Sequence, residues 1–253
     1  MKCTALLFLA LLPVVAFAGT YRETRNFEMP AVGVHALKVR SGAGELILNG
    51  VEGTDIIRVQ AEIEFEGAEK EAFQLQADKL IQLDLRREYD QAILISNVVI
   101  PPLPKIEARI HLNIQLPVNM NVNIIDGSGS IDIANIIGNL SIEDESGAII
   151  VRNITGWIQI EDGSGDIDIE DVVGSIQIGD GSGEIVIRNA TGDVKIKDAS
   201  GGIEINDIGG NVNVLDGSGS IDIYRVKKNV FIQEAGSGKL DINGVQGKVT
   251  IRE

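Results

Sequence analysis

Cysteine is all but absent from this chain. The single one, Cys3, falls inside a segment that reads as a leader, so the remainder has no disulfide, no thiol nucleophile and no cysteine metal ligand. Cys3 also precedes the apolar run, which misplaces it for lipoprotein acylation. Histidine is nearly as scarce. His35 and His111 stand apart, without the convergent partners that a triad or a metal site needs, and both read as incidental strand residues. Aromatics make up only 4% of the chain, so Ile and Val carry the apolar volume. β-Branched residues without aromatics suit a flat, stacked sheet interior. Basic residues are outnumbered 22 to 37, and the net charge of −15 repels nucleic acid and anionic lipid. Neither is expected as a partner.

Long apolar runs are missing everywhere except at the start. Lys2, the apolar residues 5–15 and the small-x-small string Ala16-Phe17-Ala18 form the three parts of a secretory signal. The run is too short to span a bilayer comfortably. The expectation is a signal peptide over residues 1–18, a mature chain from Gly19 without a membrane span, and export to the periplasm, the cell surface or the medium.

What is abundant is a repeat. Asp126, Asp144, Asp162, Asp180, Asp198 and Asp216 lie 18 residues apart, each followed two and three places later by Ser and Gly. A second glycine ladder keeps the same step at Gly138, Gly156, Gly174, Gly192 and Gly210, and a seventh copy starts at Glu234 with one extra residue. Apolar columns run through the copies. One is Ile131, Ile149, Ile167, Ile185, Ile203 and Ile221; another, after the second glycine, is Leu140, Ile158, Ile176, Val194, Val212 and Val230. Each has an apolar companion two places on, the period of a short strand with one buried face. A unit is therefore Gly-x-Φ-x-Φ twice, where Φ is apolar: two strands and two tight turns. Stacking such units as coils pairs every strand in parallel with its own copy at about 4.8 Å per coil.

Three rival solenoids fail or weaken on the columns. A hexapeptide helix needs an inward residue every six, yet six and twelve on from Ile131 come Ile137 and Glu143. An ice-binding solenoid needs outward Thr ladders, whereas the outward column reads Ser141, Gln159, Gln177, Lys195, Asn213. The calcium β-roll carries its metal-binding Asp where this chain has Ile131, Ile149 and Ile167. Oxygen-rich acidic turns still suit a hard cation, so Asp126, Asp144, Asp162, Asp180, Asp198 and Asp216 stand as metal candidates. The preferred reading makes each an Asx-turn, accepting from the N–H two residues on. Asn135, Asn153, Asp171, Asn189 and Asp207 form a similar ladder at the other turn. No catalytic and no cofactor-binding residue emerges.

Trp157, Phe231 and Tyr224 are the outward aromatics, read as packing against the N-terminal part. Three glycosylation sequons, at Asn139, Asn153 and Asn189, fall on repeat columns and read as by-products of the pattern. Residues 19–120 are less regular. The string Ser41-Gly42-Ala43-Gly44-Glu45-Leu46-Ile47-Leu48 copies the repeat once, and Ile57, Val59, Ala61, Ile63 and Phe65 alternate as a strand. Residues 68–79 have helix-forming composition, residues 80–85 and 93–100 read as strands, and the prolines at 101, 102 and 104 mark a break. The expected organisation is a β-rich capping region over 19–120 with one short helix, then a right-handed parallel β-solenoid over 121–253. Lys227, Lys228, Lys239, Lys248 and Arg252 place positive charge at the last coil as an edge defence.

The string Ile110-His111-Leu112-Asn113-Ile114-Gln115-Leu116-Pro117, the segment 121–125 and the Ser-Gly-x-Ile-x-Ile repeats resemble the bacterial putative-adhesin family of β-strand-repeat domains, relatives of the head and toast-rack envelope β-domains. The resemblance covers most of the mature chain and implies no catalytic residues. It implies an exported, non-enzymatic interaction protein whose partner is an envelope or surface protein or a glycan. Two alternatives stand beside it: a calcium-stabilised structural spacer, and a carbohydrate-active β-helix enzyme. The second lacks room, because six coils run without an insertion that could build a cleft.

Overall fold

The computed structural model describes residues 7–8, 20–66, 77–99 and 107–252. The rest of the expected leader, most of the expected helix and the proline break lie outside the described residues. The chain is all-β; one helical turn, Ala77–Leu80, is described. It divides into two compact units, Met1–Gly129 and Ser130–Glu253.

The second unit is a β-solenoid of about seven coils. Its longer strands start with Ile131–Ile137, Ile149–Thr155 and Ile167–Val173, and each pairs in parallel with the copy 18 residues on. Its shorter strands start with Leu140–Asp144 and Ile158–Asp162 and pair in the same way. Ile and Val dominate the stacked apolar columns, so a one-residue slip would turn a whole column into solvent. Each such side chain contributes roughly 1.5–3 kcal/mol through burial.

The longer strands carry a third inward column that period-2 alternation does not reveal. In the first of them Ile131 and Ile133 face inward; Asn135 then adopts a left-handed backbone, φ 63°, and the next residue, Ile136, is buried. The same corner recurs at Asn153, Asp171, Asn189 and Asp207, with φ between 56° and 60°. Arg225 continues it at φ 58°. Asn and Asp tolerate this region better than other side chains, which explains the ladder read at that turn. The corner turns Ile154, Val172, Ala190, Ile208 and Val226 into the core.

At the far end the alignment changes. A register shift at Val214/Leu215 sets Glu234 opposite Leu215 and Ala235 opposite Asp216. The extra residue is absorbed as a bulge, and Ala235, rather than Glu234, ends the aspartate column.

The first unit uses two sheets. In one, Ala36–Ser41 lies between Asn121–Asp126 and Gln91–Val98, parallel to both, and Ile81–Glu88 closes the edge as a hairpin with Gln91–Val98. In the other, Thr20–Pro30 pairs antiparallel with Ile56–Glu66, which pairs antiparallel with Glu107–Pro117. Glu107–Pro117 in turn runs parallel to Leu46–Val51. It is thus inserted between two strands that are neighbours in sequence. The alternating residues Ile57, Val59, Ala61, Ile63 and Phe65 are all buried, as the pattern requires. The early copy of the repeat also forms: Leu46 and Leu48 are buried, and Ala43 bridges to Ser128.

Candidate functional site

The aspartates of the repeat are the chain's buried charged side chains among the described residues. Asp126, in the first unit, is 3% exposed. In the second unit Asp144, Asp162, Asp180, Asp198 and Asp216 are between 0% and 8% exposed. Each is the fifth residue of a short strand whose first and third residues, such as Leu140 and Ile142, also face inward. The alternation carries the carboxylate into the interior on the strand's own period.

In Asp162, Asp180, Asp198 and Asp216 one oxygen is used locally, whereas both oxygens of Asp144 are buried without a hydrogen-bond partner in the protein. Oδ1 accepts the backbone N–H of the Ser two residues on, at 3.3 Å for Asp162 and Asp180, 3.1 Å for Asp198 and 3.0 Å for Asp216. This is the Asx-turn read from the sequence. Oδ2 of these four is buried and finds no donor in the protein. The column is in strict register: Asp144 opposes Asp162, then Asp180, Asp198 and Asp216 follow. Two full negative charges one strand spacing apart repel by roughly 3.5 kcal/mol at an effective dielectric of about 20. Burial raises the pKa of every one of the five. Asp162 and Asp198 are pushed up to about 6, by burial first and by flanking aspartates second.

Outside the core the ladders are polar. At the left-handed corner the Asn153 amide donates to Asn135 Oδ1 at 3.2 Å, and Asn189 donates to Asp171. Arg225 closes that ladder with a two-armed bond to Asp207 at 2.6 and 2.7 Å. Arg152 reaches Asp132 at 3.1 Å and Arg188 reaches Asp168 at 3.0 Å, each tying one coil to the next. A shallow groove of about 300 Å³ runs along the corner between Asn153, Asp171 and Asn189 on one side and Thr155, Val173 and Thr191 on the other.

No protein-family model matches the chain, and no curated protein matches it. Solved structures do. A putative adhesin from Bacteroides fragilis is 15% identical, with 92% of this chain and 97% of that one covered, at a TM-score of 0.43. A putative cell adhesion protein from Clostridium sporogenes is 13% identical, with 91% and 99% covered, at 0.36. A putative lipid binding protein from Parabacteroides distasonis is 11% identical, with 92% and 97% covered, at 0.48.

The remaining candidates separate rather than converge. His35 precedes its strand instead of lying in it, and its N–H donates to Asp90 O at 2.8 Å. His111 does sit on a strand. Its Nδ1 accepts the Glu45 N–H at 3.1 Å, and its Nε2 lies 3.6 Å from Glu64. That carboxylate neighbour comes from strand pairing across 47 residues, so spacing along the chain could not show it. Trp157 faces outward at 41% exposure. Phe231 and Tyr224 are half-buried within the last coils, where Arg252 lies 4.9 Å from the Phe231 ring and Tyr224 Oη lies 3.5 Å from Asp241. Among the described residues no group of three or more His, Cys, Asp or Glu side chains is placed to hold a metal ion. No described helix is long and apolar enough to cross a membrane.

Proposed function

We propose that this chain is a non-enzymatic, exported interaction protein of the bacterial envelope or surface, whose solenoid presents flat polar ladders to a partner protein or glycan. The carrying observation is the unbroken register of the second unit. From Ile131 to Val226 the longer strands follow one another without an inserted loop. A hydrolase or lyase needs convergent acid, base and binding groups in a cleft, and uninterrupted coils hold side chains in parallel rows instead. The outward row Ser141, Gln159, Gln177, Lys195 and Asn213 is such a surface, and it repeats at the strand spacing.

The test is binding of the purified protein to arrays of envelope glycans and surface proteins, alongside the double variant Gln159→Arg/Gln177→Arg. Saturable binding that the variant loses while its melting midpoint stays unchanged supports the reading. Turnover of a polysaccharide by the purified protein overturns it.

A further inference from the structure

The aspartate column has a property that a row of turn residues does not require. An Asx-turn needs one carboxylate oxygen, at the strand end, and it works as well in water as in the core. Here the second oxygen of Asp162, Asp180, Asp198 and Asp216 is turned into the interior without a protein donor. The same atoms recur coil after coil, because the strands bearing them are in register.

Among the described residues, no cation is a leading influence on the column. The charged groups acting on it are Glu145 on Asp144, Asp166 on Asp180, Glu234 on Asp216, and the aspartates on one another. All are acidic. The hydrogen bonds the column receives come from the backbone N–H groups of Ser164, Ser182, Ser200 and Ser218. Each Ser N–H is directed at the strand end, not at the neighbouring carboxyl. A buried carboxylate oxygen without a donor is costly. The identical group on the neighbouring strand becomes such a donor once it is protonated.

We propose that Asp144, Asp162, Asp180, Asp198 and Asp216 form a proton-sharing ladder, in which alternate carboxyls keep their proton and each donates it to the carboxylate of one adjacent coil. Asp162 and Asp198, the two pushed up to about 6, are the second and fourth members. With those two protonated, no two ionised carboxyls are neighbours, and the two protons serve two of the three remaining carboxylates at a time. Ala235, opposite Asp216, ends the ladder without adding another charge.

The sign follows from linkage. The folded-state values lie above the ordinary aspartate value, so the folded state holds protons that the unfolded state releases. The ladder's contribution is complete below about pH 4 and is lost as pH rises through about 6. The column's own contribution thus grows in acid, opposite in sign to that of the Asp207–Arg225 pair of the same unit.

The experiment is a 13C NMR titration of the aspartate carboxyl carbons in the full chain, with amide hydrogen exchange at Ser164 and Ser200 followed over the same range. Two carboxyls titrating near 6, with exchange at both serines quickening as they ionise, is the expected result. In Asp162→Asn/Asp198→Asn the amide oxygen still accepts the Ser N–H and the NH₂ supplies a permanent donor. Exchange at the two serines then becomes independent of that ionisation, once the intrinsic pH dependence of exchange is removed. If the double variant does not fold, the wild-type titration decides alone. All five carboxyls titrating near the ordinary aspartate value, or exchange unchanged through the transition, overturns the ladder.

Discussion

A Cβ on Gly165 would stand 1.9 Å from the carbonyl oxygen of Gly147, the equivalent glycine one coil earlier. Gly165 also holds φ at 144°. Adding a methyl group therefore meets both a strained backbone and a backbone atom that cannot retreat without breaking register. Gly165→Ala is expected to cost about 3 kcal/mol or more, read as a lower urea midpoint. Gly53→Ala is the control. It has a positive φ of 71° and open space around the Cβ position, so it should lose only about 1–2 kcal/mol.

The inward columns should be sensitive to volume in proportion to burial. Ile169 is fully buried between Val151 and Ile187. Ile169→Ala should destabilise by about 2–5 kcal/mol and Ile169→Val by about 0.5–1.5. Ile137, half exposed on the same kind of strand, should tolerate alanine within about 0.5 kcal/mol. Equilibrium denaturation of the three variants checks the ranking.

The corner ladder should discriminate by backbone rather than by charge. Asn153 sits at φ 56° with its side chain exposed. Asn153→Ala should be less stable than Asn153→Gly by about 1 kcal/mol, because glycine enters the left-handed region freely and alanine does not. Equal midpoints for the two would mean that the corner does not depend on this conformation.

The first unit should answer to pH in the opposite sense from the aspartate column. Arg22 donates to Glu64 at 2.8 Å and holds its carboxyl below the usual glutamate range, chiefly through that hydrogen bond. A lowered folded-state value means stability present above the ordinary glutamate value of about 4.3 and lost as pH falls through the lowered one. Glu64→Gln should therefore be less stable than wild type near neutral pH. The gap should close in acid, as measured by urea midpoints across the range.

Much of this architecture is written locally. The inward Ile and Val alternation and the glycine turns are visible in the sequence because each is set by neighbours a few places away, and the 18-residue step because its copies recur without insertion. So is the first-unit strand of Ile57, Val59, Ala61, Ile63 and Phe65. The left-handed ladder was legible as turn chemistry, since Asn and Asp are the residues that enter that region at low cost. Its consequence, the buried column from Ile136 to Val226, was not, because a corner breaks the alternation on which the reading depends.

Three features belong to the folded chain. Glu107–Pro117 inserts between Leu46–Val51 and Ile56–Glu66 because strand pairing is non-local and leaves no mark on either partner's sequence. His111 gains Glu64 through that same pairing. The aspartates are legible in the sequence as turn residues, and that reading does not bury them. Strand alternation, which counts positions and ignores chemistry, carries them inward. What the residues near each Asp specify is the turn; that five carboxyls share one buried line follows from stacking the coils, which places identical groups one strand spacing apart.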